Sequence, residues 1–305
     1  MNSKPSRTRR VLVTGAGGTI GRCTVERLLE KNFEITALTV DGGYRAPDPA
    51  RTVVADAADE EAVAAALKGC DAVVHLAALA HPSRGTAREV FANNVVSTFT
   101  VLSAAAAGGV RRAVIASSIN AYGVPFNPHG PWPAYFPLDE ALPADIADAY
   151  SLSKSVDEQS AAMAARTWGM DVVAFRFPLV KEPSELRRTA ADVARAPETM
   201  MRTGWAYLTL QDAAGAIDAA LRTPVRGAHV IGLSAVDTLL PAATAELLDT
   251  YAPQVPRRRR FTGREALIDT TRARELLGLL PGRSIYPGAS YPGDSSPGDG
   301  AEVTV

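Results

Sequence analysis

The sequence predicts an α/β protein: a doubly wound, mostly parallel sheet with a small C-terminal lobe. Three observations carry that class. Short apolar segments alternate with helical ones from residue 11 to 177, a glycine-rich turn joins the first pair, and the alternation fades after Pro178. Parallel neighbours need a crossover connection, so this alternation implies β-α-β units.

The elements follow in order. Residues 1–9 are polar and basic and are expected to be loose. The run 11–14 is short and apolar and leads into glycines, which suits a buried strand. Residues 21–31 place Val25, Leu28 and Leu29 at helical spacing. Residues 33–40 are apolar and β-branched and read as a second strand. An alanine-rich helix is expected at 60–67, a third strand at 72–77, a long helix at 90–107 and a fourth strand at 112–117. A second long helix at 149–168 and a strand at 171–177 complete the pattern. Helices at 211–221, 242–250 and 271–277 are expected to form the lobe over the carboxyl ends of the strands. The expected division is 1–177 for the sheet domain and 178–280 for the lobe, with some return to the sheet. Residues 281–305 are rich in Gly, Pro and Ser and predict a disordered tail.

Composition narrows the function classes. Of 305 residues, 47% are hydrophobic and 21% charged, which is ordinary for a globular protein. The net charge of −1 creates no field that would gather nucleic acid or an acidic membrane, so neither partner is expected. Cys23 and Cys70 lack metal-ligand spacing and are too few for a disulfide scaffold, so no metal site is expected and a reducing compartment fits. The N-terminus carries no signal-peptide pattern. No apolar run reaches the roughly 18–20 residues of a membrane span. A cytoplasmic protein acting on a small molecule is the expectation.

The turn Thr14-Gly15-Ala16-Gly17-Gly18-Thr19-Ile20-Gly21 follows the first strand and opens the first helix. Gly15 serves the tight turn, Gly18 the close approach of a pyrophosphate, and Gly21 the packing of helix on strand. The N–H groups about Thr19 and Ile20 would face the phosphates. Asp41 lies 20 residues past Gly21 and has two readings. It holds the adenosine ribose hydroxyls and repels a 2′-phosphate, favouring NAD over NADP, or it is a solvated turn residue before Gly42-Gly43. Arg45 lies close by. Asp56, with Ala57, follows the apolar pair Val53-Val54 and either meets the adenine amino group or caps the next helix.

Tyr150-Ser151-Leu152-Ser153-Lys154 places a phenol and an ammonium one helical turn apart, on one face. A tyrosine with a pKa near 10 is a poor base at neutral pH, and a nearby ammonium favours the phenolate. Such a pair can take a proton from a substrate hydroxyl as its carbon gives up hydride. Ser118 stands 32 residues earlier at a strand's carboxyl end, where open α/β sheets bind ligands. Its hydroxyl can hydrogen-bond the substrate oxygen.

These residues resemble the extended short-chain dehydrogenase/reductase family, which includes NAD-dependent sugar epimerases and dehydratases. The likeness spans about residues 11–280. It rests on T-G-x-x-G-x-x-G at 14–21, D-A-V-V-H-L-A-A at 71–78, Asn94, S-S-x-x-x-Y-G at 117–123, Y-x-x-x-K at 150–154, Arg176-Phe177-Pro178 and the segment 207–212. The resemblance implies a Rossmann-like domain holding a dinucleotide. It places Ser118 and Tyr150 at the reacting oxygen and Lys154 on the nicotinamide ribose. Leu76, Ala77, Ala78 and Asn94 would line the cofactor, with Pro178 near the nicotinamide. It also implies a homodimer through the two long helices near 90–107 and 149–168. The substrate would meet Ser118, Ile119, Asn120, His81 and Trp205.

The chain departs from the sugar-nucleotide pattern in two places. Leu179 stands where R-x-x-N-x-x-G-P has its Asn and Glu182 where it has its Gly. Trp205 stands at the Arg of R-D-[FY]-[IV]-x-V-x-D. Both losses remove groups that would hold a diphosphate, so a smaller sugar-like or hydroxy/keto substrate is expected; Lys181, Arg187 or Arg188 offers another route to phosphate. The leading expectation is a dehydrogenase or reductase, with an epimerase that retains its cofactor as the alternative. Ser118-Ile119-Asn120 lacks the acidic run of the dehydratases. A dinucleotide-sensing regulator on the same fold is the non-enzymatic alternative, but it needs no Tyr–Lys pair at a nicotinamide. His75 is expected to pack, His129 to lie near the cleft, and Arg257–Arg260 to form a solvated loop.

Overall fold

The structure is a computed structural model and describes residues 9–286. The expectations for the extreme N-terminus and for residues 287–305 lie outside the described residues. In chain order the elements are β1 (Arg10–Thr14), α1 (Thr19–Glu30), β2 (Glu34–Thr39), β3 (Arg51–Val54), α2 (Glu60–Ala66), β4 (Ala72–His75), α3 (Ala87–Ala107), β5 (Arg112–Ser118) and α4 (Ala149–Trp168). They continue with β6 (Asp171–Phe177), β7 (Leu179–Lys181), α5 (Pro183–Val193), β8 (Tyr207–Thr209), α6 (Leu210–Arg222), β9 (Ala228–Gly232), α7 (Thr244–Tyr251) and α8 (Thr271–Leu277).

Seven strands form one parallel sheet in the order β3-β2-β1-β4-β5-β6-β9. The chain winds outward from β1 in one direction and from β4 in the other. Their carboxyl ends part at this switch point and leave a crevice for a ligand. Thr14 at the end of β1 is in register with Leu38 of β2 and His75 of β4. The strand interiors are buried on both faces, as a parallel sheet between two helical layers requires. One layer packs α1 against α6; the other packs α2 and α4 against α3.

Local chemistry sets the helix ends that matter. Thr86 and Glu89 form a reciprocal capping box on α3. Asp148 accepts from Ser151 N to start α4, which Gly169 ends at φ 64°. By length and composition alone α3 is long and apolar enough to cross a membrane. No single apolar run in the sequence signalled this. In the fold α3 is a core helix that packs on α4, with half of its most apolar stretch buried.

A second core forms where the periodicity faded. It gathers Ile119, Tyr122, Phe136, Leu138, Leu186, Trp205, Tyr207, Leu239, Leu248, Leu267 and Ile285 over the carboxyl ends of β5 and β6. Isolated bridges replace long strands here, among them Leu138 to Ile268 and Ala235 to Gly282. Short pairings of this kind carry little alternation, which is why β7 and β8 had little signal in the sequence; the amphipathic α5 and the strand β9 went unpredicted. β9 returns to the sheet beside β6.

The expected disorder from residue 281 is corrected for 281–286. Gly282 bridges Ala235, Ser284 Oγ donates to Asp237 Oδ2 at 2.6 Å, and Tyr286 Oη donates to Leu239 O at 2.6 Å. Ile285 is buried, and its N–H donates to Tyr207 Oη at 2.9 Å. The Gly, Pro and Ser content concealed two apolar anchors.

Candidate active site

The glycine turn is shaped by close backbone approach. Gly15 has φ +66°, and a Cβ there would meet Ala77 N at 2.6 Å. A Cβ on Gly21 would lie 2.1 Å from Gly15 O. Only glycine satisfies either position without moving backbone. α1 starts at Thr19 with Gly18 as its N-cap, no side-chain cap and no acidic residue in its first turn. Gly18 and Thr19 are exposed and Ile20 is half-buried. Unclaimed N–H groups at this helix start suit a phosphate. Leu76, Ala77 and Ala78 follow β4, and Leu76 N donates to Thr14 O at 3.2 Å. They form the opposite wall of the turn.

The rim beside this turn is polar and open. Asp41 is exposed; Oδ1 accepts from Gly43 N at 2.9 Å and Oδ2 meets an Arg22 guanidinium nitrogen at 3.5 Å. Arg22 also donates to Gly17 O at 2.8 Å and lies 4.5 Å from the Tyr44 ring centroid. The turn reading of Asp41 fits Oδ1, while Oδ2 points toward Arg22, which balances its charge. Arg45 instead bonds the carbonyls of Gly42 and Tyr44.

The chemistry-bearing residues meet where β5 ends against α4. Tyr150 and Lys154 lie on the buried face of α4. Lys154 Nζ donates to Ala116 O of β5 at 2.9 Å and to Asp157 Oδ2 at 3.1 Å. The helix is thereby tied to the strand that ends in Ser118. Burial opposes the Lys154 charge, but Asp157, Tyr150 and Glu158 outweigh it and raise the ammonium's pKa, so Lys154 is a cation at neutral pH. Ser118 Oγ accepts from Asn120 N at 3.1 Å and from Asn120 Nδ2 at 3.0 Å, which leaves its hydrogen free to donate outward. Asn120 Oδ1 is buried without a partner beside it. Edge-to-face rings continue the wall: Tyr150 to Phe126 at 6.0 Å between centroids and Phe126 to His81 at 4.9 Å. Pro178 is buried just past the end of β6.

A pinned carboxylate holds this corner. Glu158 accepts two bonds from Arg176, at 2.7 and 2.8 Å, and one from Ser117 Oγ at 2.6 Å. The Arg176 guanidinium also lies 4.4 Å from the Tyr122 ring centroid. It joins β6, α4 and the turn 119–122, so its role here is architectural.

Comparison with known proteins places this geometry. The family model for the NAD dependent epimerase/dehydratase family matches residues 11–232. The chain belongs to that family. It is 30% identical to a uronate dehydrogenase of Agrobacterium fabrum over 235 residues, covering 75% of this chain and 78% of the relative. It is 29% identical to cinnamoyl-CoA reductase 1 of Petunia hybrida over 274 residues, covering 81% and 78%. A crystal structure of a short-chain dehydrogenase/reductase superfamily protein from Agrobacterium tumefaciens, with bound NAD, superposes with a TM-score of 0.67 at 23% identity, covering 91% of this chain and 94% of that one. As a member of the epimerase/dehydratase family, the chain is an oxidoreductase or epimerase of the NAD-dependent type.

Within this family frame, several sequence expectations change. Trp205 is fully buried; its Nε1 donates to Pro197 O at 2.7 Å and its ring packs edge-on to Tyr251. It belongs to the second core and does not face a substrate. The Ile119 side chain is likewise packed in that core. Asn94 is fully buried, and both ends of its amide are taken: Oδ1 accepts from Leu79 N, and Nδ2 donates to Leu79 O and Ser153 Oγ. It positions the 76–79 wall against α4 and has no group left for a cofactor. Asp56 accepts from Ala58 N in a local turn, while Asp59 caps α2. Ala57 is buried, with its methyl packed in the core. Lys181 bonds Thr189 and the two arginines of α5 are exposed. Nothing in the sequence marks Phe126, which sits in an irregular loop. Asp157 was hidden because an acid one turn from a lysine is common on solvated helix faces.

Proposed function

We propose that this chain is a cytoplasmic NAD-dependent dehydrogenase that oxidises a hydroxyl-bearing carbon, or reduces a keto carbon, of a small sugar-like compound. The observation that carries the proposal is the 2.9 Å bond from Lys154 Nζ to Ala116 O, which sets Tyr150's helix against the strand bearing Ser118. The dinucleotide's pyrophosphate would lie on the turn from Gly15 to Gly21, where added Cβ atoms would collide. When bound, the nicotinamide supplies the acceptor or donor for hydride. Ser118 Oγ donates to the substrate oxygen, and Asn120 Oδ1 accepts a neighbouring hydroxyl. Tyr150 Oη takes the proton of the reacting hydroxyl in oxidation and returns it in reduction. Lys154 keeps positive charge beside the phenol and retains one hydrogen for the nicotinamide ribose.

Substrate size is argued from what the lobe lacks. Leu179, Glu182 and Trp205 replace the groups expected to hold a diphosphate, and Trp205 is in the core. The likeness to a uronate dehydrogenase supports a free sugar or sugar acid. The Phe126 and His81 rings offer apolar faces on which a sugar ring can stack. Two half-exposed apolar side chains of α3, Val96 and Phe99, and Leu152 of α4 support a homodimer through these helices.

The test is a panel of free sugars, uronic acids and nucleotide sugars with NAD, followed by nicotinamide absorbance. Reduction with a free sugar or sugar acid supports the proposal. Interconversion of a UDP-sugar with retained cofactor and no net reduction assigns the epimerase instead. Light scattering across a dilution series reads the dimer.

A further inference from the structure

Asp157 is a carboxylate in the buried heart of the site that the proposed chemistry does not use. Its side chain is 1% exposed and that of Lys154 is 5% exposed. Oδ2 meets the ammonium, whereas Oδ1 is buried with no hydrogen-bond partner. Such a pair is costly to bury and is not the cheapest way to pack a helix. The polar groups near it come from three elements. From α4 come Lys154, Tyr150 and Glu158. From α3 comes Thr98, whose hydroxyl lies 3.1 Å from His75 Nε2. From β4 comes His75, whose Nδ1 lies 2.8 Å from Thr14 Oγ1 at the start of the glycine turn. Glu158 is neutralised by Arg176, and His75 is held neutral by burial, with Lys154 adding to the effect.

We propose that Asp157 is a positioning residue that fixes the Lys154 ammonium in place and holds its charge beside Tyr150. This rests on Tyr150 as the proton-transferring group. Two of the three ammonium hydrogens are committed, to Ala116 O and Asp157 Oδ2, which leaves one direction for a ligand. Burial opposes that ammonium, and the carboxylate at 3.1 Å is the group that most favours it. Burial pushes the Asp157 carboxyl up, opposed by Lys154 and Thr98.

The test uses the full chain and needs no substrate. Phenolate absorbance is titrated in the wild type and in Tyr150→Phe, and the difference isolates the Tyr150 titration. The same subtraction is made in Asp157→Asn and in the smaller Asp157→Ser. Removing the anion takes away what holds the Lys154 charge, so the phenolate loses its cationic neighbour and the midpoint is expected to rise by about one pH unit, while Asp157→Glu restores it. A midpoint that stays in place in folded Asp157→Asn or Asp157→Ser overturns the proposal, as does failure of both to fold. The parent reading is tested apart from this: turnover surviving in Tyr150→Phe would remove Tyr150 from the chemistry whatever the midpoint does.

Discussion

Two ion pairs flank the crevice, and they differ in nearly everything except charge. Lys154–Asp157 is almost fully buried at 3.1 Å, with the lysine also bonded to the backbone of β5. Arg22–Asp41 is half-exposed at 3.5 Å, on the open rim. The first is a fixed part of the molecule, because separating it would strand a charge away from water. The second is screened and mobile, and is worth between nothing and about 1 kcal/mol. In the proposed reading, the end assigned to nicotinamide is built for a set protonation state, and the end assigned to adenosine for adaptable contact.

The comparison is broken most sharply at the phenol. Tyr150→Phe is expected to cut turnover by about 10²–10⁴-fold, with nucleotide binding retained in an equilibrium titration. Lys154→Met leaves Asp157 buried and unpaired, with an expected destabilisation of about 3–5 kcal/mol in urea unfolding. His75 sharpens the buried side through pH. Its pKa is lowered to about 3 by burial, with Lys154 adding to it, so the fold excludes a proton that the unfolded chain binds below about 6.5. That stability is complete above pH 6.5 and is lost as pH falls toward 3. Unfolding at pH 5 should be easier than at pH 7 by about 2 kcal/mol, and His75→Asn should flatten this slope. The smallest effect belongs to the rim. Arg22→Gln frees Asp41 from its balancing charge, and the preference for NAD over NADP should rise less than tenfold in steady-state assays.

Much of this was legible in the sequence for a physical reason. The continuous apolar runs of buried parallel strands and the 3.6-residue period of their crossover helices survive in the chain from residue 11 to 177, and close backbone approach forces glycine at 15 and 21. The lobe obeys other rules. Trp205, Ile119 and Ile285 are buried by contacts between segments far apart in sequence, and no local period records them. Site residues divide the same way. Tyr150, Lys154 and Ser118 sit at positions set by one helix and one strand end. Phe126 lies in a loop, and Asp157 owes its burial to α3 packing across it. Asn94 shows the limit of motif transfer: it stands in the expected place, yet its amide is spent on Leu79 and Ser153.

The anchoring of residues 281–286 has a practical consequence for handling the protein. Their Ser284 hydroxyl and Ile285 amide close a ring of bonds around Asp237 and Tyr207, to which Arg264 also belongs. A chain shortened to residue 280 would open that ring and uncover the Ile285 seat, so the lobe should become the first part to yield to protease. A chain ending at 286 keeps those bonds.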